Sequence, residues 1–222
     1  MAVERTIAFV DLAGFTALTE AHGDDAAVDL LDTFAAAAVE SVADTTAELV
    51  KTIGDALMLA APSPDVGLHA ARRVYEACYA NDAFPEPRGG LHHGPVVARD
   101  GDYFGATVNL AARVASRAES GQTLVTSAVA SAARDAGLDT LELGSHQLRN
   151  IRHPVELWAV ELCPAPLDFS IDPVCRMRVS SHAAVARVHH RGREHWLCSL
   201  DCLRAFSSNP DDYLDSGDLP HP

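Results

Sequence analysis

The spacing of apolar residues changes period along the chain, and each change marks an element. Thr6-Ile7-Ala8-Phe9-Val10 is a continuous, mostly apolar run ending at Asp11, which predicts a buried strand. Between residues 24 and 43, Val28, Leu31, Ala35, Val39 and Val42 recur every three or four positions, the period of a helix. Residues 47–53 and 56–61 read as two strands joined at Gly54-Asp55, a hairpin turn. Ser63-Pro64-Asp65 reads as a helix start, with Ser63 as N-cap and Pro64 in the first helical position, and that helix runs to about Asn81. Residues 88–98 predict strand, turn and strand around His93-Gly94. Helices are expected at 106–118 and 127–136, and strands at 140–148 and 155–162. This order predicts an α+β or α/β layer arrangement with helices on one side of a mixed sheet.

Cys163-Pro164-Ala165-Pro166 interrupts the pattern. Two prolines in three positions stop the preceding strand and give a short, stiff spacer, so residues 163–169 are expected to be a linker. Residues 170–222 then hold three of the five cysteines and five of the eleven histidines. A segment of that size cannot bury a comfortable core, so it calls for a metal staple or for docking onto the larger unit, residues 1–162.

Charge narrows the partners. The chain of 222 residues has 17 basic and 31 acidic residues, a formal charge of −14. Binding to a polyanion requires a basic footprint, so nucleic acid and anionic membrane are not expected partners. A small phosphate ligand remains compatible, because a few local cations suffice. No apolar run approaches the length of a transmembrane helix, and the N-terminus lacks the features of a secretory signal. A reducing, cytoplasmic setting is therefore expected, with the clustered cysteines as metal ligands rather than disulfides.

Asp11 follows a strand and precedes Leu12-Ala13-Gly14-Phe15-Thr16. Gly14 permits close backbone approach, and the N–H groups of a helix starting there suit a polyphosphate. Asp55 lies in the predicted hairpin turn. Two carboxylates on adjacent strands can hold Mg²⁺ or Mn²⁺ against a triphosphate; the plainer reading is a helix cap and a turn residue. Asn109 and Arg113, at i and i+4, share one helix face, which is either a solvated face or one that meets a sugar and a phosphoryl group. Of the 17 basic residues 16 are arginine, so the single lysine, Lys51, stands out. Its alternatives are a geometric demand for a point donor and an ion pair with Asp55.

FVDLAGFT, VKTIGDALMLA, GLHHGPVVARDGDYFGATVNLAARV and the closing LRNIRHPVELWAVEL together resemble the catalytic domain of class III nucleotide cyclases, over residues 5–162. The resemblance implies a ferredoxin-like α+β fold and a homodimer with active sites between protomers. It implies two Mg²⁺ or Mn²⁺ ions held by Asp11, Leu12 and Asp55, and contact of the Gly14-Phe15-Thr16 loop with substrate. Lys51 and Asp102 match the pair that reads the purine, Asn109 the residue that orients the ribose, and Arg113 the arginine that stabilises the transition state. Arg149 lies near a basic phosphate contact of the family. Guanylate cyclases typically carry Glu and Cys where this chain has Lys51 and Asp102, so the pair implies ATP and cyclic AMP production. The alternative is a sensor without turnover that uses the cyclase fold as a dimerisation scaffold.

Cys198 and Cys202 are one helical turn apart, with Cys175 upstream. Thiolates suit Cu⁺ or Zn²⁺, whereas small buried cysteines also fill metal-free cores. DPVCRM, HWLCSLDC, Phe206 and NPDDYL resemble a YHS domain, a small metal-associated module related to TRASH-type fingers, over about residues 170–214. The resemblance implies Cys175, Cys198 and Cys202 as ligands. Arg176 departs from it, standing where the family commonly has glycine. The fourth ligand position is left to Met177, His182, His189, His190 or His195.

Overall fold

The computed structural model describes residues 2–82 and 84–214. Its central sheet contains β1 (Ala2–Leu12), β2 (Glu48–Ile53), β3 (Ala56–Ala61), β4 (Pro87–Arg99), β5 (Asp102–Phe104), β6 (Thr123–Val125), β7 (Thr140–His146) and β8 (Val155–Val160). The strand order is β2-β3-β1-β4-β6-β8-β7, with β5 paired to β4. The first four strands lie in the antiparallel order of a ferredoxin-like unit. Only β4 and β6 pair in parallel among the described strands.

Alternation along β1 builds two cores. Ala8, Val10 and Leu12 face a layer made by α1 (Phe15–His22), α2 (Asp24–Val42), α3 (Pro64–Tyr79) and α5 (Ser127–Asp135), where Phe34, Leu68, Val74 and Val129 are buried. Ile7 and Phe9 face the other way, with Met58 and Val96, onto Ala111 and Ala115 of α4 (Ala106–Ala115). Helices therefore cover both faces, not one as the periodicity suggested; which face a helix joins is decided by crossover geometry, which a linear pattern does not carry.

The helix starting at Pro64 is preceded by extended Ser63, as expected, although the Ser63 side chain caps no backbone N–H. The turn expected at His93-Gly94 is absent, and β4 runs unbroken from Pro87 to Arg99. Its glycines serve close packing instead. A Cβ on Gly90 would lie 2.1 Å from the Ala115 nitrogen, and one on Gly94 would lie 2.9 Å from Thr107 Oγ1. Spaced four apart, both open the same strand face to α4.

After β8 the chain has no regular element until β9 (Phe169–Ile171), which pairs with β10 (Arg178–Ser180). A hairpin of β11 (Ala186–His190) and β12 (Arg193–Leu197) follows, then α6 (Leu200–Ser208) and a 3₁₀ turn at Pro210–Tyr213. The expected tail at 215–222 lies outside the described residues. Val174, Cys175, Leu197, Cys202 and Phe206 form a small core that also packs on Ala21 of α1. Arg178 fastens this segment to the sheet unit. Its buried guanidinium donates to the carbonyls of Cys78, Asn81 and Phe84, where α3 ends, and stacks on Tyr79 at 4.9 Å. A cation is favoured at a helix C-terminus, where carbonyls lack partners within the helix.

Two outcomes check this packing. Gly90→Ala should cost about 1–3 kcal/mol in urea unfolding, because α4 must move off β4. His92 is held at 2.8 Å by Thr126 Oγ1, and burial, aided by His93, pushes its pKa from 6.5 down to about 4. The unfolded chain therefore binds more protons between those values, and stability should fall as pH drops from 6.5 toward 4. His92→Gln should flatten that part of the profile, measured as urea midpoints at stepped pH.

Candidate active site

Asp11 stands next to last in β1 and faces Arg88 near the start of β4, its direct register partner. The guanidinium donates twice to Asp11 Oδ2, at 2.8 and 2.6 Å. Asp11 Oδ1 is buried with no hydrogen-bond partner among the described residues. Gly54 and Asp55 form the two-residue loop between β2 and β3, with Gly54 at a φ of 60°, a conformation that suits glycine. Burial and then the nearby Asp11 carboxylate raise the Asp55 pKa to about 6. A carboxylate whose charge is disfavoured beside a second one that keeps an orphaned oxygen fits a divalent cation.

Leu12 beside them is fully buried by its side chain, so only its main chain can reach this cluster. Gly14, at a φ of 83°, turns the chain into α1. Phe15 and Thr16 open that helix, whose first N–H groups lack helical partners. The helix start follows Asp11 directly in the chain, and free N–H groups of this kind are what an anion site uses.

A second cluster lies on β2 and β5. Lys51 Nζ lies 2.5 Å from Asp102 Oδ2 and not on Asp55, so the ion pair with Asp55 is not formed. This hydrogen bond and the Tyr103 N–H hold the Asp102 pKa below the ordinary carboxylate range. The Phe104 ring stands 5.9 Å from Lys51 Nζ. A cleft of about 630 Å³ opens beside the pair, lined by Val97, Arg99, Asp100, Asp102, Phe104 and Gly105. Tyr103, which hydrogen-bonds the Glu48 carboxylate, braces β5 against β2. On α4, Asn109 is exposed and Arg113 half-buried. Arg149 is exposed in the turn between β7 and β8, with no bond to either cluster.

Arg88 was missed by the sequence reading. The signal that finds it is register: it stands opposite Asp11 once β1 and β4 are paired. In the C-terminal segment the structure does gather Cys175, Cys198 and Cys202. The histidines weighed as a fourth ligand lie elsewhere: His182 is exposed, His190 pairs with Asp211 at 3.0 Å, and His195 packs on Phe206. Arg176 has a φ of 64°, a region that favours glycine.

No helix among the described residues is long and apolar enough to cross a membrane. Comparison with known proteins gives a consistent family. Over 162 residues the chain is 37% identical to the pH-sensitive adenylate cyclase MT1302 of Mycobacterium tuberculosis, a match covering 70% of this chain and 40% of that protein. It is 40% identical over 124 residues to an adenylate cyclase of Streptomyces griseus, covering 56% of this chain and 31% of the other. The matched region is thus less than half the length of either relative. Among solved structures, an adenylate cyclase from Trypanosoma brucei superimposes with a TM-score of 0.65 at 24% identity, covering 72% of this chain and 89% of that one. The adenylyl cyclase CyaB from P. aeruginosa does so with a TM-score of 0.62 at 21% identity, covering 77% and 98%. The family model of the adenylate and guanylate cyclase catalytic domain matches residues 3–161, and the chain belongs to that family.

Proposed function

We propose that the chain is an adenylate cyclase that converts ATP to 3′,5′-cyclic AMP and pyrophosphate as a homodimer. The observation that carries this reading is the Lys51–Asp102 pair, poised beside an open cleft and separate from the Asp11–Asp55 cluster. Adenine N1 accepts a hydrogen bond and its exocyclic amine donates one, matching an ammonium and a carboxylate. Guanine reverses both and would leave buried groups mispaired. The named relatives from Mycobacterium tuberculosis and Streptomyces griseus are adenylate cyclases, which supports the same substrate.

In this reading Asp11 and Asp55, with the main chain of Leu12, hold two Mg²⁺ or Mn²⁺ ions. Bound there, such ions lower the pKa of the ribose 3′-hydroxyl and offset charge on the departing pyrophosphate. The N–H groups of the Gly14-Phe15-Thr16 loop receive phosphate oxygens, with Arg88 beside them and Arg149 as a more distant cation. Asn109 orients the ribose. The 3′-oxygen bonds to the α-phosphorus as the bond to the bridging oxygen of pyrophosphate breaks, and the hydroxyl proton passes to solvent. Arg113 meets the charge that grows on the α-phosphoryl oxygens. Positioning and electrostatics supply the rate without a covalent intermediate.

The division of labour supports a dimer. Lys51 binds Asp102 while Asp55 lies against Asp11, so residues four apart serve different groups. One nucleotide would take its carboxylates from one protomer and its base-reading, Asn and Arg groups from the other. Ile53, Val97 and Phe104, each about half exposed, give an apolar rim that such a partner would cover. The C-terminal segment is read as a YHS module, with Cys175, Cys198 and Cys202 binding Cu⁺ or Zn²⁺ and adjusting turnover.

Incubation with ATP and Mn²⁺, followed by chromatography, should yield cyclic AMP; pure protein that forms none would reject the reading. Asp11→Ala and Arg113→Ala should each be inactive, yet an equal mixture that exchanges subunits should recover about a quarter of wild-type activity, since half the dimers keep one intact site. No recovery despite proven exchange would reject the shared site. Lys51→Glu with Asp102→Cys should lower the rate with ATP relative to GTP by at least about tenfold, read as kcat/KM for each nucleotide.

A further inference from the structure

The three gathered thiols meet a fourth donor from the opposite end of the chain. His22 is the last residue of α1, and its Nε2 lies 3.6 Å from Cys198 Sγ and 3.9 Å from Cys202 Sγ. Cys198 Sγ is 3.5 Å from Cys175 Sγ and 3.7 Å from Cys202 Sγ. All four donor atoms fall within 4.8 Å of one another. Sulfurs this far apart are not disulfide-bonded, and all three cysteines are free. A tetrahedral Zn²⁺, with bonds of about 2.3 Å to sulfur and about 2.0 Å to nitrogen, sets its donors about 3.5–3.8 Å apart. The separations of Cys198 from the other three donors, 3.5–3.7 Å, and of His22 from Cys202, 3.9 Å, lie at or near that frame.

The backbone around the sulfurs is already held. Asp172, fully buried, accepts the N–H groups of Val174 at 2.8 Å and Cys175 at 3.4 Å with one oxygen. Its other oxygen accepts the Cys198 N–H at 2.8 Å. One carboxylate therefore fixes the two loops that carry these thiols. Ser199 caps α6 by accepting the Cys202 N–H at 3.1 Å. Outer groups that orient the ligating residues are the usual support of a metal centre. A dry thiol core would need neither this fixation nor an imidazole nitrogen turned toward two sulfurs.

We propose that His22, Cys175, Cys198 and Cys202 bind one Zn²⁺ as a closed tetrahedral site that ties α1 of the cyclase domain to the C-terminal segment. Three thiolates and one imidazole form a donor set suited to a borderline-soft d¹⁰ ion, and four protein ligands leave no position for water, so the site is structural. The ion cross-links residues at opposite ends of the sequence. Its anchor on the cyclase side is the C-terminal end of an eight-residue helix whose N-terminus is the Gly14 loop.

The test uses the full chain with Zn²⁺ as the added ion, and its readouts do not depend on nucleotide turnover. Equilibrium dialysis with metal analysis should give one Zn²⁺ per chain. X-ray absorption at the zinc edge should fit three sulfurs and one nitrogen. His22→Gln should weaken Zn²⁺ at least about tenfold and shift the visible bands of the Co²⁺-substituted protein, whereas exposed His182→Gln should change neither. A wild-type chain that takes up no Zn²⁺, or a four-sulfur shell, would overturn the proposal. So would a His22→Gln protein with unchanged affinity and an unchanged Co²⁺ spectrum. The absorption measurement on unaltered protein decides the matter even if the variant does not fold.

Discussion

The antiparallel pairing of β1 with β4, over eleven register positions from Ala2 opposite Val97 to Leu12 opposite Pro87, is the constraint on which the rest of the structure depends. It brings Arg88 to Asp11. It also fixes the alternation that sends Ala8, Val10 and Leu12 into one core and Ile7 and Phe9 into the other. A slip of one residue would exchange the two faces and separate the acidic end of β1 from its cation at the same time. Structural and chemical requirements are thus met by a single alignment of two strands.

The local elements were largely legible in the sequence because each rests on neighbours in the chain. The helix after Gly23, the Gly54-Asp55 hairpin and the helix opened by Pro64 follow from period and turn chemistry that a short window contains. What was not legible rests on partners far along the chain. Gly94 looked like a turn residue, and only the arrival of Thr107 against the strand explains it. Arg88 had no local feature to mark it. Lys51 could be singled out by composition, yet its choice of Asp102 over the nearer Asp55 needed the β4–β5 hairpin to fold back beside β2. The family resemblance pairs Lys51 with Asp102, and the two side chains meet in the structure; spacing alone left that open.

The C-terminal segment is legible in a different way. Its three cysteines were identifiable as a set from the sequence, whereas its seat was not. Arg178 shows why. An arginine that is 2% exposed would be costly alone, but here its guanidinium donates to the Cys78 and Asn81 carbonyls at and just past the end of α3. The segment contributes the cation and the sheet unit contributes the acceptors, so neither half reveals the contact by itself. His22 has the same character: within its own helix it is an ordinary polar residue at a C-terminal end, and it acquires meaning only from sulfurs more than 150 positions away.

Gly14 carries a double obligation. Its left-handed φ of 83° turns the chain from β1 into α1, and the hydrogen-sized space beside its Cα is filled by the Arg176 side chain, whose Cβ would stand 2.5 Å from any added methyl group. The Gly14 turn between β1 and α1 and the berth of the C-terminal segment therefore share one atom's worth of room. Any side chain added at Gly14 would have to displace Arg176, so a change on one surface is felt at once on the other.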